Sequence, residues 1–431
     1  MGPTIKAVKT SDKIPEQTEG VIIGGGIVGL SAALTLAERG IPVVVAEKGK
    51  IAAEQSSRNL GWVRKTNRLA EDIPLSLAAD RLWQQMPART GFDVGYRQAG
   101  IMFLARNEKQ MAAYEKWYQS ARHLDLGSKL LSNEEIASMV PGGREKWYGG
   151  VFTASDGRAE PTEASSAIAA AAVKKGAIIK ENCAVRTLSL SAGKISGVIT
   201  EEGEIRCSQV LLAGGLWSRR FLGNLGIQLP TLPLVCSVLR TAPLPYDVET
   251  AVGAPDFSFR KHRNGGFIIT QRGALDAPLT LDHLRIGLRY LEPLKAEKDN
   301  LCISFGKYFW EDLQRKRRWK SNQITPFEHM RIMDPAPNEK LNGDAMRNLC
   351  AAWEIFTQAQ IEQSWAGMID ITPDSNPVID RIAQIPGLTV ATGFSGHGFG
   401  TGPAAGQLAA DLTVEVSEPL VNPHPYRFSR L

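Results

Sequence analysis

Gly24, Gly26 and Gly29 stand in a G-x-G-x-x-G spacing between an apolar run at Val21 and a stretch of small aliphatic residues, and a second apolar run then ends in Glu47. Residues of these types at this spacing bind the pyrophosphate of a dinucleotide. Gly24 permits a tight turn, Gly26 lets backbone approach the phosphates, and Gly29 lets the helix pack on the strand. Ile27 and Val28 fall at the helix start, where unpaired N–H groups and the helix dipole favour negative charge. Glu47 is placed to accept hydrogen bonds from a ribose diol and disfavours a 2′-phosphate. A membrane span over Val21 to Ala37 is the competing reading. It fails because the stretch falls short of the roughly 20 residues required and is broken by glycine.

Other elements must position this turn. Residues 1–20 are polar, contain Pro3 and Pro15, and predict a loose arm. Residues 52–68 read as a loop running along the dinucleotide, followed by a helix from Ile73 to Gln85, a strand within 95–105 and a helix from Asn107 to Leu124. Ser132-Asn133-Glu134-Glu135 predicts a helix start and Pro141-Gly142-Gly143 its stop. Arg158 to Gly176 predicts an alanine-rich helix, and residues 177–207 a small antiparallel meander. Val210 to Gly215 and Leu388 to Phe394 read as buried strands ending in glycine, the second followed by a helix from Pro403 to Val414. A change of texture between Leu229 and Ala359, with strands at Val235 to Arg240 and Gly266 to Thr270, marks a second domain. The nucleotide-binding unit is therefore discontinuous: 21–95, 151–228 and 365–431, with 96–150 and 229–364 forming a substrate domain.

Composition narrows the class. At 431 residues about two domains are expected, and 43% hydrophobic with 22% charged residues describes a folded globular chain. A net charge of +5 is too mild to indicate nucleic-acid binding. The five cysteines are odd in number, widely spaced and without a C-x-x-C pair, so neither a disulfide framework nor a metal site is expected. The charged first twenty residues carry no secretory signal, which leads to an expected cytoplasmic location. The run from Arg315 to Lys320 reads as a solvated helix face or a docking patch.

Three glycine-rich cofactor segments distributed along the chain indicate FAD, a long molecule that a fold must contact repeatedly. The motifs Gly24 to Gly29, Glu47-Lys48, Ser56-Ser57-Arg58-Asn59, Leu212 to Trp217, Trp365-Ala366-Gly367, Thr372-Pro373-Asp374 and Gly393 to Phe399 resemble those of the D-amino-acid oxidase and glycine/sarcosine oxidase superfamily. The resemblance covers Val21 to Val414. It implies an α/β fold, with a Rossmann-like FAD-binding domain and an α+β substrate domain built on a mainly antiparallel sheet. It further implies that Ser56, Ser57, Arg58 and Asn59 contact the FAD phosphates or flavin edge. Val185 would hold the adenine side, Ala213, Gly214 and Trp217 the pyrophosphate and ribityl region, and Gly367 and Gly396 to Gly400 the flavin.

The implied reaction is hydride transfer from the carbon bearing nitrogen to flavin N5, giving an imine that hydrolyses. The substrate would be a small amine or amino acid. An NAD-linked dehydrogenase and an FAD-containing subunit of a larger amine dehydrogenase complex are the alternatives, and a homo-oligomer or a partner subunit is compatible with the chain. His397 invites a role as base, but its flanking glycines favour orienting backbone near the flavin. Arg64 and Arg260 are the preferred carboxylate anchors, among Arg58, Lys261 and Arg263.

Two departures stand out. Gly400 occupies the position of the lysine that follows G-H-G-F in sarcosine oxidases, and Met368 and Ile369 occupy the neighbourhood of the FAD-attaching cysteine. The first questions sarcosine as substrate. The second predicts non-covalent FAD beside Met368. Asp370 or Asp374 would either cap a turn or hold a second positive charge, and the insertion from Asp299 to Arg347 would form a lid, a subunit contact or an electron-transfer surface.

Overall fold

Val21 to Ile23 lie in the middle of a six-stranded sheet, because a strand covered by helices on both faces needs apolar side chains on both. The computed structural model describes residues 2–297 and 300–431. The expected insertion start at Asp299 lies outside the described residues. Across the sheet the order is Val378–Arg381, Leu388–Thr392, Gln209–Leu212, Gly20–Ile23, Val43–Ala46 and Ile178–Lys180. All neighbours pair in parallel except Val378–Arg381, which runs antiparallel to Leu388–Thr392. The helix Ile27–Glu38 packs between the helices Pro161–Lys174 and Gly398–Thr413, whose alanines and glycines permit close approach.

Ile178–Lys180 leaves the expected meander and adds a parallel strand beside Val43–Ala46. The meander keeps three strands, Val185–Ser191, Lys194–Thr200 and Glu204–Arg206. The arm is also tighter than predicted. Ser166 Oγ donates to Lys6 O at 2.9 Å, Ser11 N donates to Ile179 O at 2.8 Å, and Val8 and Ile14 pack against the two cores of this unit. Prolines and charges there set the path of an extended strip held by backbone bonds.

A second, mainly antiparallel sheet centres on Leu232–Thr241, which pairs with Phe267–Gln271 on one side and along its whole length with Ile361–Ile371 on the other. Ile101–Ala105 and Gly149–Thr153 extend the sheet through Ala251–Gly253. Sheet membership shifts two expected boundaries, since Gly149–Thr153 and Ile361–Ile371 belong to this second sheet. The boundary expected at 151 therefore falls after Thr153, and that at 365 after Ile371. An aromatic core of Phe257, Phe259, Phe267, Trp353 and Phe356 backs the sheet. The helix start expected at Ser132 is a capping box, with Ser132 and Glu135 exchanging hydrogen bonds.

Candidate active site

A cleft of about 1170 Å³ opens along the carboxyl ends of the parallel strands, where open α/β sheets bind ligands. Its lining joins Gly24, Gly26, Ile27 and Val28 to Glu47, Lys48, Ser56, Asn59, Val185, Ala213, Gly214 and Trp217. Gly24 has φ +109°, and a Cβ there would sit 2.5 Å from Ala213 O. A Cβ on Gly29 would run into Gly24 O, so both glycines keep strand, turn and helix in contact. Ser56 Oγ accepts from Ile27 N at 2.9 Å, presenting a hydroxyl at the helix start.

Glu47 is buried among its own neighbours. Its Oε2 accepts from Gly25 N and its Oε1 from Gly49 N, both at 2.8 Å. Burial pushes its carboxyl above the usual range, against the opposing pull of Lys48. Lys48 Nζ donates to Glu54 at 2.7 Å and to Met330 O and Arg331 O, and lies 4.5 Å from the Trp217 ring centroid. Trp217 Nε1 in turn donates to Glu54 at 2.9 Å. Glu54, Gln55 and Phe327 also line the cleft, though no sequence motif marks them. Only their positions in space mark them.

At the far end the Asp370 carboxylate accepts from Gly393 N at 2.7 Å and from Thr392 Oγ1 at 3.1 Å. It is therefore a turn cap, and Asp374 pairs with Arg430 at 2.7 Å, so neither holds a free negative charge for substrate. The following helix begins at Gly398 with His397 as its N-cap, earlier than the expected Pro403. Its first N–H groups, at Gly398, Phe399 and Gly400, consequently open toward the cleft end. Gly400 has a steric reason: a Cβ there would lie 2.6 Å from Trp62 O. A lysine has no room.

Beside that helix start lies a cluster of cations. Arg64 donates from Nη1 to Thr66 O at 2.5 Å and has Nη2 at 3.1 Å from His397 Nε2. Its guanidinium carbon is 5.5 Å from the Phe103 ring centroid, and that of Arg272 is 4.6 Å from the same ring. Among the described residues neither arginine has a carboxylate partner. Buried Arg272 Nη1 and Trp62 Nε1 also lack a hydrogen-bond partner. Trp62 meets Phe103 edge-on at 5.6 Å, placing both orphan donors around one ring. Desolvation, with Arg272 nearby, lowers Arg64 to about 10. Desolvation together with Arg68 and Arg64 holds His397 well below the ordinary imidazole value, so it is neutral. Buried unpaired donors around unneutralised guanidiniums are complementary to an anion with several acceptor oxygens.

A family model described as FAD dependent oxidoreductase matches residues 20–412. The chain belongs to that family. FAD is its cofactor, and the elongated cleft with its glycine cradle fits such a molecule. Relatives agree along the length. The solved structure of L-amino acid deaminase from Proteus myxofaciens is 30% identical with TM-score 0.95, over 99% of this chain and 96% of that one. Glycine oxidase of Geobacillus kaustophilus is 25% identical over 95% of this chain and 96% of its own length. Mitochondrial sarcosine dehydrogenase of Mus musculus is 22% identical over 96% of this chain, which spans only 41% of that longer protein.

The rest of this FAD-dependent oxidoreductase corrects part of the expected site. Arg260 is not a free anchor: its Nη1 and Nη2 form a buried bidentate pair with Glu160 at 2.6 and 2.9 Å, and its Nε donates to Leu60 O at 2.6 Å. Lys261 pairs with Asp247 and Glu249, and Arg263 with Glu163. Arg272, directly after the Phe267–Gln271 strand, instead stands with Arg64 at the Phe103 ring. The available signal was a cation after a largely buried strand and just before a glycine. Arg58 does not line the cleft. It donates to Ala53 O, Ala366 O and Asp334, with its stem against Gly367. Ser57 is buried with its Oγ 3.4 Å from Glu54 O. Met368 packs in the core beside Val235 and carries no reactive group. No helix among the described residues is long and apolar enough to cross a membrane.

Proposed function

We propose that this protein oxidises the C–N bond of an amino acid or N-substituted amino acid whose carboxylate is held between Arg64 and Arg272. The observation that carries the reading is the pair of guanidiniums at the Phe103 ring, neither in an ion pair among the described residues, beside the orphan donors of Arg272 and Trp62. FAD supplies the two-electron acceptor for a hydride leaving the carbon that bears nitrogen. It is held without a covalent bond by Gly24, Gly26, Ile27, Val28, Glu47, Val185, Ala213, Gly214 and Trp217, and by the helix start at Gly396, Gly398 and Phe399.

The protein's residues then have three tasks. Arg64 and Arg272 fix the carboxylate, and so the α-carbon, relative to the cleft end. Their charges lower the proton affinity of the substrate nitrogen, which must be neutral for its lone pair to assist hydride loss. Neutral His397 accepts from Arg64 and holds the guanidinium in place instead of acting as a base. Trp62, Phe103 and Tyr114 offer an apolar surface that excludes water from the reacting bond. The imine product is hydrolysed by water.

The test is an anaerobic screen of D-amino, L-amino and N-alkylated amino acids, together with the matching decarboxylated amines, read by bleaching of flavin absorbance near about 450 nm. Reduction by amino acids but not by the amines is expected. Equal reduction by a decarboxylated amine would sink the carboxylate anchor. Hydrogen peroxide formation against dye reduction assigns the electron acceptor.

A further inference from the structure

One wall of the cofactor cleft is foreign to the nucleotide-binding unit. Phe327 lines the cleft, yet it belongs to a segment, 319–334, that enters from the long excursion between the strands of the second sheet. Its ring sits among three others, 5.9 Å from Trp217, 6.1 Å from Phe221 and 5.3 Å from Trp319. The ring is buried apart from its cleft side.

The segment is fastened at points spread along it to several pieces of the nucleotide-binding unit. Trp319 donates from its backbone N to Asn224 at 2.9 Å and from Nε1 to Arg186 O at 2.8 Å. Glu328 makes a bidentate pair with Arg186 at 3.0 and 2.7 Å. Lys48 Nζ donates to Met330 O and Arg331 O at 3.0 and 2.8 Å. Arg331 pairs with Glu201 and donates to Lys48 O at 3.0 Å, and Met333 N donates to Glu54 at 2.9 Å. Gly49 is also pressed against Arg331 O so closely that a Cβ has no space. The cleft that Phe327 walls is the same one that Glu47 and Gly398 line.

We propose that residues 319–334 form a latch that controls FAD exchange: the cofactor enters and leaves only when the segment lifts as a unit. The physical reason is the nature of the fastenings. The charged partners Arg186, Glu328, Arg331 and Glu201 are not among the residues that line the cleft, whereas Phe327 is. The charged bonds therefore hold the segment down without binding FAD themselves. This inference rests on FAD being the cofactor.

A latch differs from an ordinary contact in its kinetics. Loosening a contact to FAD accelerates release alone, whereas loosening a latch accelerates release and uptake together. The experiment uses Arg331→Gln combined with Arg186→Gln, neither of which lines the cleft. FAD release from the holoprotein and FAD uptake by the apoprotein are each followed by flavin fluorescence. Both rates are expected to rise about tenfold or more, the effect of weakening closure by roughly 1.4 kcal/mol, with the FAD dissociation constant changed less than about threefold. Unchanged rates, or faster release with unchanged uptake, would overturn the latch. If the double variant does not fold, Arg186→Gln alone, which breaks only the Glu328 pair, is read by the same two rates. A wild-type protein that takes up no FAD would overturn the cofactor assignment itself, and that outcome is distinct from either kinetic result.

Discussion

Arg64 Nη2 lies 3.1 Å from His397 Nε2. A guanidinium has only donors, so the imidazole nitrogen must accept and the ring carries its proton on Nδ1. Burial beside two arginines enforces the same state by keeping His397 well below its ordinary value. His397→Asn is expected to lower kcat/KM by roughly tenfold, the worth of one charge-assisted hydrogen bond, mostly through KM. The pH profile of wild-type kcat/KM should show no ionisation that disappears in the variant. A lost inflection between about pH 6 and 8 would instead identify His397 as a titrating base.

Arg64→Met and Arg272→Met each remove one guanidinium from the Phe103 ring. Each should cost about 2–3 kcal/mol of transition-state stabilisation for an amino-acid substrate, or roughly 30- to 150-fold in kcat/KM. A matched decarboxylated amine should be oxidised no more slowly by the variants than by wild type. Steady-state kinetics on the two substrates decide the matter.

Desolvation, and next the charge of Arg272, bring Arg64 down to about 10. A cation with a lowered value in the folded state is charged below that pH and loses its charge as pH rises through it. KM for an amino-acid substrate should climb above about pH 10 in wild type, and this rise should be absent in Arg64→Met. Stability moves in the opposite sense. Because the folded value lies below that of an ordinary guanidinium, burial of this charge costs stability below pH 10, and the cost is relieved as pH rises above 10. Arg64→Met should therefore be as stable as wild type or more so at pH 8 by chemical denaturation.

Arg260 and Glu160 give the contrasting case of a buried pair that is complete. Arg260→Met should destabilise the fold by about 3–5 kcal/mol, because it leaves the Glu160 carboxylate buried and uncompensated. Removing both, as Arg260→Met with Glu160→Met, should recover much of that loss. KM of the folded fraction should stay within about twofold of wild type, which separates this arginine from Arg64 and Arg272. Denaturation midpoints and KM together test both halves.

The glycine turn gives a cofactor prediction of its own. Gly24→Ala would combine a backbone at φ +109° with a Cβ 2.5 Å from Ala213 O. The purified variant should carry little flavin, measured as the ratio of absorbance at the flavin maximum to that of the protein.

The amino-acid sequence by itself determined the nucleotide cradle. Gly24, Gly26, Gly29 and Glu47 act through backbone shape and local hydrogen bonds, within one strand, turn, helix and strand that lie together in the chain, so their spacing is their geometry. The same holds for Val210 to Gly214 and the turn before Gly398, which are strand ends recognisable by glycine after an apolar run. Which arginine meets the substrate was decided only by the tertiary structure. Arg260 lies within one strand of the second sheet and Arg272 directly after its neighbour, yet Glu160 from the nucleotide-binding unit pairs with the first, and no carboxylate among the described residues pairs with the second. Whether a charge is free depends on what the rest of the fold places within hydrogen-bond reach. Phe327 makes the same point for the cofactor, since its place in the cleft depends on partners at Arg186, Glu201 and Trp217 that are remote in sequence.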